Sequence, residues 1–349
     1  MDNPAEMRAW RVHRHGRPSE ALRLDRIAVP SPGPGEVRIR TRAMALNYNE
    51  IDGCYGRYLT VNPPLPYTLG MEATGTVDAA GPGLEFWIGR RVIGCAKQAF
   101  GGYAESVIAD IGMVFEAPEV LNDAQAAALF MPFHLAWLGL HHRGALRAGE
   151  TVLIHAGAGG VGSAAIQLAR VAGARVIATA GGAAKVEACL EFGADVAIDY
   201  LADDFARAVT DATDGRGVDL VFDSVGGAVT ESSINCLARD GRLLLIGFAG
   251  GIEAEDRKLL TPRTLMFGSV SLIGVMLAYT DDPDMLNPLP GVHLQPRSVG
   301  EGVQRSLADL LARGQIEPVV GSIVAFEELP HALEQMEQRR TIGRTVVRL

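Results

Sequence analysis

The sequence predicts an α/β protein of two domains, a doubly wound parallel sheet joined to a smaller β-rich domain. Three observations predict it. The chain has 349 residues, more than one hydrophobic core usually serves. Residues 1–129 are short apolar runs broken by glycine and proline, the pattern of a small barrel or sandwich. Residues 130–279 alternate near-continuous apolar runs with helical patterns, as in a parallel sheet covered by helices.

The elements follow in order. In the first region Val37–Arg40, Thr74–Val77 and Arg91–Ile93 read as strands, with Pro30–Gly35 and Pro63–Pro66 between them. In the second, strands are expected at Thr151–His155, Arg175–Thr179, Val196–Ile198, Leu220–Phe222, Leu243–Ile246 and Ser271–Val275. Helices are expected at Ser163–Ala172, Ala183–Phe192, Asp203–Thr213 and Gly227–Leu237. The last 70 residues carry a helix near Gly302–Arg313, a strand at Ser322–Ala325, a helix at Glu328–Glu337 and a strand at Thr345–Leu349. They are too few for a domain of their own, so they are expected to return to the first. The expected domains are thus 1–129 with 280–349, and 130–279.

Composition excludes several function classes. Hydrophobic residues make up 48% and charged residues 21%, neither a disordered nor a fibrous composition. Acids outnumber bases 41 to 32, a net charge of −9, so the cationic footprint of a nucleic-acid binder is missing. The longest apolar stretch, Val270–Tyr279, is too short to span a bilayer. The first ten residues lack the apolar core of a signal peptide. A cytoplasmic location is the expectation. Cys54, Cys95, Cys189 and Cys236 contain no Cys-x-x-Cys pair and make no disulfide framework.

The segment Leu153–Gly162 contains Gly157-x-Gly159-x-x-Gly162, with a strand before it and a helix after. The first glycine permits a tight turn, the second lets a diphosphate approach the backbone, and the third allows close helix–strand packing. The diphosphate would sit at the helix N-terminus, where free N–H groups and the helix dipole favour negative charge. Sites selective for NAD usually place an acid at the end of the second strand. Here Ala178–Lys185 has none, and Lys185 follows one turn into the helix, which favours the 2′-phosphate of NADPH.

Asn47, Leu65–Gly75, Gly101–Glu105 and Ala148–Gly162 together resemble the medium-chain dehydrogenase/reductase superfamily, in its zinc-free quinone oxidoreductase (zeta-crystallin-like) branch. The resemblance covers essentially the whole chain. It implies a GroES-like catalytic domain split around a Rossmann domain, an active site in the cleft, NADPH, and commonly a homodimer. It implies that Gly157, Gly159, Gly160, Val161 and Gly162 hold the diphosphate, and that Thr179, Gly181, Lys185 and Tyr200 surround the adenosine phosphate. Phe248 and Ala249 match a backbone segment near the nicotinamide, and Asn47 and Tyr58 positions lining the substrate site. The final strand Ser271–Val275 is the expected sheet edge for pairing with a second copy.

Zinc-dependent members of the superfamily use Cys, then Gly-His-Glu, then a further Cys or Asp. Here the matching positions read Asn47 and Gly70-Met71-Glu72, and the lobe of four close cysteines is absent. A thioether is a poor zinc ligand beside an imidazole, so no metal is expected. His141 and His142 are adjacent and point apart on a helix. His155 is read as packed or hydrogen-bonded near the glycine loop, and His134 lies in a segment that flanks the nicotinamide in the family, where Leu135 replaces a common Thr.

Without a metal to polarise an alcohol or ketone, the expected hydride acceptor is one already electrophilic, a quinone or an α,β-unsaturated carbonyl. Asn47 and Tyr58 are the candidate donors to the developing oxygen, and Tyr58 a candidate proton source. Gly56-Arg-Tyr58 also resembles the tyrosine segment of enoyl reductases, which keeps a 2-enoyl thioester acceptor as an alternative. A non-catalytic NADPH-binding protein is the alternative of another class. Neither a Gly-x-Ser-x-Gly elbow nor a P-loop is present.

Overall fold

The computed structural model describes residues 6–57, 63–251 and 262–349. The chain divides into two compact units. One comprises Met1–Phe130, Ala278–Ala308 and Val320–Leu349, the other Met131–Leu277 and Asp309–Val319. The return to the first unit is therefore interrupted: Asp309–Val319, in the stretch expected to complete the β-rich domain, groups with the second unit.

The first unit is β-rich. Its opening strands are β1 (Glu6–Val12), β2 (Leu22–Ala28), β3 (Glu36–Ala45), β4 (Tyr67–Thr68), β5 (Glu72–Ala80), β6 (Arg91–Cys95), β7 (Ser106–Asp110) and β8 (Val114–Glu116). Helix α1 (Pro18–Ala21) precedes β2, and α2 (Tyr48–Tyr55) starts where β3 ends. Asn47 is the N-cap of α2, and Glu50, its third residue, reaches back to accept from the Asn47 backbone N–H, one arm of a capping box. Gly56 ends the helix at φ 70°, the left-handed conformation glycine adopts without strain.

The second unit holds β9 (Thr151–Ile154), β10 (Arg175–Ala180), β11 (Val196–Asp199), β12 (Val218–Asp223), β13 (Leu237–Leu245) and β14 (Ser271–Gly274). All pair in parallel, in the order β11-β10-β9-β12-β13-β14. Among its helices are α3 (Gly160–Val171), α4 (Ala183–Glu191), α5 (Phe205–Ala212) and α6 (Ala228–Ile234). The order reverses direction between β9 and β12. That is the switch point of a doubly wound sheet, beyond whose strand ends ligands bind. Strand β9 is buried on both faces, which is why Thr151–Ile154 carries no polar alternation.

Two boundaries differ from the sequence expectation for identifiable reasons. Helix α6 stops at Ile234, and Leu237 already belongs to β13, whose register against β12 shifts where Asp240 takes φ 62° before Gly241. The Asp-Gly pair marks an irregularity in the strand. The helix expected at Gly302–Arg313 begins at Arg297. Its first turns hold Gly300, where a Cβ would stand 2.7 Å from the Phe115 ring and 2.9 Å from the Tyr279 ring. A glycine kept for close packing masks the helical pattern.

The C-terminal strands β15 (Val320–Ala325) and β16 (Arg344–Arg348) pair in parallel, and β16 joins β3 antiparallel, completing the sheet β15-β16-β3-β5-β6-β8, with β7 also paired to β3. Its core gathers Met44, Leu46, Ile51, Leu69, Tyr103 and Val347. Among the described residues no helix is long and apolar enough to cross a membrane.

Candidate active site

Among the described residues, each unit carries a polar site of interest. In the second unit the chain leaves β9 through His155 and Ala156, the latter at φ 51°, and enters α3 with Gly159 as N-cap. The glycines of this loop have separate reasons. At Gly157 a Cβ would lie 2.8 Å from Cys189 Sγ and 3.0 Å from Ala178 Cβ. At Gly162 it would lie 2.2 Å from the Ala156 carbonyl oxygen and 2.7 Å from Gly157 Cα. Both glycines are demanded by internal packing. At Gly159 the nearest atom would be 3.3 Å away, and its φ of −80° suits any residue. Packing constrains Gly159 far less than Gly157 or Gly162. Gly159, Gly160 and Val161 are all partly accessible at the start of a 12-residue helix, where main-chain N–H groups can receive an anion. These residues fit a dinucleotide diphosphate.

At the end of β10, Gly181 lies under Tyr200: a Cβ there would stand 2.7 Å from the phenol oxygen. Gly182, at φ 89°, is the N-cap of α4, and Lys185 sits in the first turn; burial pushes the Cys189 thiol up to about 12, with the Lys185 ammonium opposing it. The structure thus brings Gly181 and Tyr200 together beside the turn that carries Lys185. It also shows an acid the end of β10 itself does not contain. Asp199, at the end of β11, accepts from Gly182 N–H at 2.9 Å and Leu201 N–H at 3.0 Å through Oδ1. Thr179 is 2% exposed, and its hydroxyl is bonded to His155 rather than turned outward. Phe248 is exposed, and Ala249 N–H donates to the Ser224 carbonyl at 3.1 Å, tying the segment after β13 to the loop after β12.

In the first unit Asn47 is buried in a cluster of charged groups. Its Nδ2 donates to Glu72 Oε1 at 3.0 Å and Glu50 Oε1 at 3.3 Å, and its Oδ1 accepts from Arg344 Nη1 at 2.9 Å. Arg344 Nη2 also donates to Glu72 Oε1, within a pair that is nearly inaccessible. Glu50 is wholly buried and accepts from Asn47 N–H at 2.7 Å, Met71 N–H at 2.8 Å and the Tyr103 hydroxyl. Burial pushes the Glu50 carboxyl up to about 7, although these donors favour its charged form. Both amide hydrogens of Asn47 are directed at carboxylates, so donation to a substrate oxygen requires that one of them, the longer to Glu50, be given up. Tyr58 lies outside the described residues.

Glu50, Glu72, Tyr103 and Arg344 were not singled out as site residues in the sequence. Glu72 and Tyr103 do stand inside the motifs that carry the resemblance, but Arg344 has no local signal. The set does not fit a catalytic zinc. Asn47 is committed to three partners, Met71 offers a thioether, and Glu72 is paired with Arg344. Among the described residues no group of three or more His, Cys, Asp or Glu is placed to hold a metal ion.

The chain matches the family described as alcohol dehydrogenase GroES-like domain over residues 33–119, and that described as zinc-binding dehydrogenase over residues 160–289. It is 31% identical to the human quinone oxidoreductase over 338 residues, 95% of this chain and 94% of that protein. Its fold is similar to that of Escherichia coli quinone oxidoreductase complexed with NADPH, with a TM-score of 0.85, 26% identity, and 98% and 100% of the two chains covered. It is also 37% identical over 262 residues, 74% of this chain, to 12% of the phthioceranic/hydroxyphthioceranic acid synthase of Mycobacterium tuberculosis. The chain belongs to the medium-chain dehydrogenase/reductase superfamily, among its quinone oxidoreductase-like members. It is an NAD(P)-dependent oxidoreductase acting on a small molecule.

Proposed function

We propose that the protein reduces a quinone or another activated α,β-unsaturated carbonyl with NADPH and without a metal. The observation that carries this reading is the donor set at Asn47, Met71 and Glu72. It is closed by Arg344 and Glu50 into a salt-bridged, hydrogen-bonded cluster and leaves no thiolate or imidazole for a Lewis acid. NADPH, when bound, supplies the hydride. The chain's own residues do the rest. The open N-terminus of α3 at Gly159, Gly160 and Val161 binds the diphosphate. Lys185 binds the 2′-phosphate, with Gly181 and Tyr200 shaping the adenosine end. Phe248 and Ala249 bound the nicotinamide end. Asn47 and Tyr58 donate to the developing oxygen, and Tyr58 delivers the proton.

A second reading, a 2-enoyl thioester acceptor, is favoured by one observation: the higher identity, 37%, to the segment of an acid synthase than to the quinone oxidoreductases. One assay separates the two. NADPH and NADH oxidation is followed with a quinone panel, a simple enone, and short and long 2-enoyl-CoA esters. Turnover with quinones is expected; turnover confined to the thioesters moves the assignment to the second reading. Preference for NADH overturns the cofactor assignment, and tight NADPH binding with no turnover leaves a non-catalytic binding protein. Tyr58→Phe with an unchanged turnover number removes the proton-donor role.

A homodimer is proposed on the exposed edge of β14, flanked by exposed Met266, Phe267 and Met276. Sedimentation showing only a 37.1 kDa species overturns it.

A further inference from the structure

His155 is 2% exposed at the end of β9, yet both ring nitrogens meet hydroxyl groups. Nε2 is 2.7 Å from Ser233 Oγ on α6, and Nδ1 is 2.9 Å from Thr179 Oγ1 on β10. The direction of each bond follows from proton counting. Ser233 has one hydroxyl hydrogen, and it donates that to the Val229 carbonyl at 2.6 Å. Toward His155 it can only accept, so Nε2 carries the hydrogen. A neutral imidazole has one N–H, so Nδ1 accepts from the Thr179 hydroxyl. Burial favours the neutral ring, while Asp223 pulls the other way. The ring also packs edge-on against Phe205 of α5, with centroids 4.9 Å apart.

The same imidazole stands between two loops at the carboxyl ends of the strands. On one side, Thr179 returns the constraint to the glycine loop, because its carbonyl accepts from Gly157 N–H at 2.9 Å. Gly157 has Cys189 Sγ and Ala178 Cβ against the space a Cβ would fill, so it follows β10 closely. On the other side, α6 begins just after a turn held by Asp223, which accepts from Val225 N–H at 2.8 Å, Gly226 N–H at 3.1 Å and the Thr230 hydroxyl. The Ser224 hydroxyl then donates to the His155 carbonyl at 3.3 Å.

We infer that His155, as its Nε2–H tautomer, is a positioning residue of the dinucleotide site, locking helix α6 to strand β10 and, through Thr179, setting the direction of the first amide of the glycine loop. It touches neither cofactor nor substrate. It acts by pre-orienting the loop, so that binding does not have to order it. This also reassigns Thr179: its hydroxyl serves the relay, and its carbonyl serves the loop. The inference rests on the proposed reading that the loop binds NADPH.

The experiment uses the full chain. Nitrogen-15 NMR of the histidine side chains in the cofactor-free protein at neutral pH is expected to show His155 with protonated Nε2 and unprotonated Nδ1. Thr179→Val keeps the side-chain shape and removes the donor; Ser233→Ala removes the acceptor. Each is expected to weaken NADPH binding about three- to tenfold, the effect of one hydrogen bond, and to speed hydrogen exchange at the Gly157 amide by a similar factor. In steady-state assays the change falls on KM for NADPH more than on kcat, and Thr179→Ser restores both binding and exchange. The opposite tautomer, or a Thr179→Val protein with unaltered NADPH affinity and Gly157 exchange, overturns the inference. If the wild-type protein binds no NADPH, the proposed function fails instead, and the tautomer and the exchange rates still decide the positioning role. If a variant does not fold, the wild-type tautomer decides it.

Discussion

The two polar sites of this molecule are built in opposite ways. The glycine loop of the second unit is local: Gly157, Gly159 and Gly162 lie within six residues, and the proposed binding groups are main-chain N–H groups at one helix end. The cluster of the first unit is assembled from Asn47, Glu50, Glu72, Tyr103 and Arg344, which span nearly the whole chain. A local site of the kind proposed for this loop needs only the right turn. A dispersed, buried and charged one exists only while every strand that feeds it is in place, because each partner removed leaves another without compensation.

The largest effect that tests this contrast is at Arg344. Arg344→Leu leaves Glu72 buried without its cation, and a loss of about 3–5 kcal/mol of stability is expected in denaturant unfolding. Arg344→Leu combined with Glu72→Gln is expected to recover part of that loss. A single variant as stable as the wild type breaks the contrast.

The loop is tested by two alanines. Gly162→Ala forces a Cβ to 2.2 Å from the Ala156 carbonyl, and about 1–3 kcal/mol of destabilisation is expected together with loss of NADPH binding. Gly159→Ala meets nothing closer than 3.3 Å, so stability is expected to change by less than about 0.5 kcal/mol while NADPH affinity falls. Equal effects at the two positions would sink the assignment of Gly159 to the ligand.

The units are also expected to respond to pH with opposite signs. The Glu50 carboxyl is raised from 4.5 to about 7, so the folded state holds its proton more tightly. Its contribution is present below about pH 4.5 and is lost as pH rises through 7. His155 is lowered from 6.5 by burial, so its contribution is present above pH 6.5 and is lost as pH falls. Hydrogen exchange between pH 5 and 8 is expected to show the first unit loosening toward high pH and the second toward low pH, with Glu50→Gln removing the first slope. Parallel slopes in both units would contradict this. The smallest effect expected is Lys185→Glu: about a tenfold rise in KM for NADPH with little change in stability. An unchanged KM returns Lys185 to an ordinary helix residue.

Much of this was legible beforehand, and the reasons are physical. The six parallel strands show in sequence because burial on both faces leaves unbroken apolar runs such as Thr151–Ile154. The glycine loop shows because steric demands at Gly157 and Gly162 fall at fixed, short spacing. The start of the helix at Arg297 was hidden because Gly300 is set by two rings from elsewhere in its unit. Thr179 matched a cofactor position, but nothing in the sequence says that its hydroxyl turns inward to His155. Asp199 was passed over because it ends a different strand from the turn whose amide it binds.

By itself, then, the sequence determined the sheet, the place of the glycine loop, and the presence of Asn47 and Met71 where zinc-dependent relatives carry thiolate and imidazole. These depend on residue type and on spacing within one or two turns of chain. The tertiary structure alone decided that Asn47 meets Arg344 across 297 residues, that Glu50 is stripped of water, and that Ser233 selects the tautomer of His155. Burial and hydrogen-bond direction arise only when distant segments exclude solvent together.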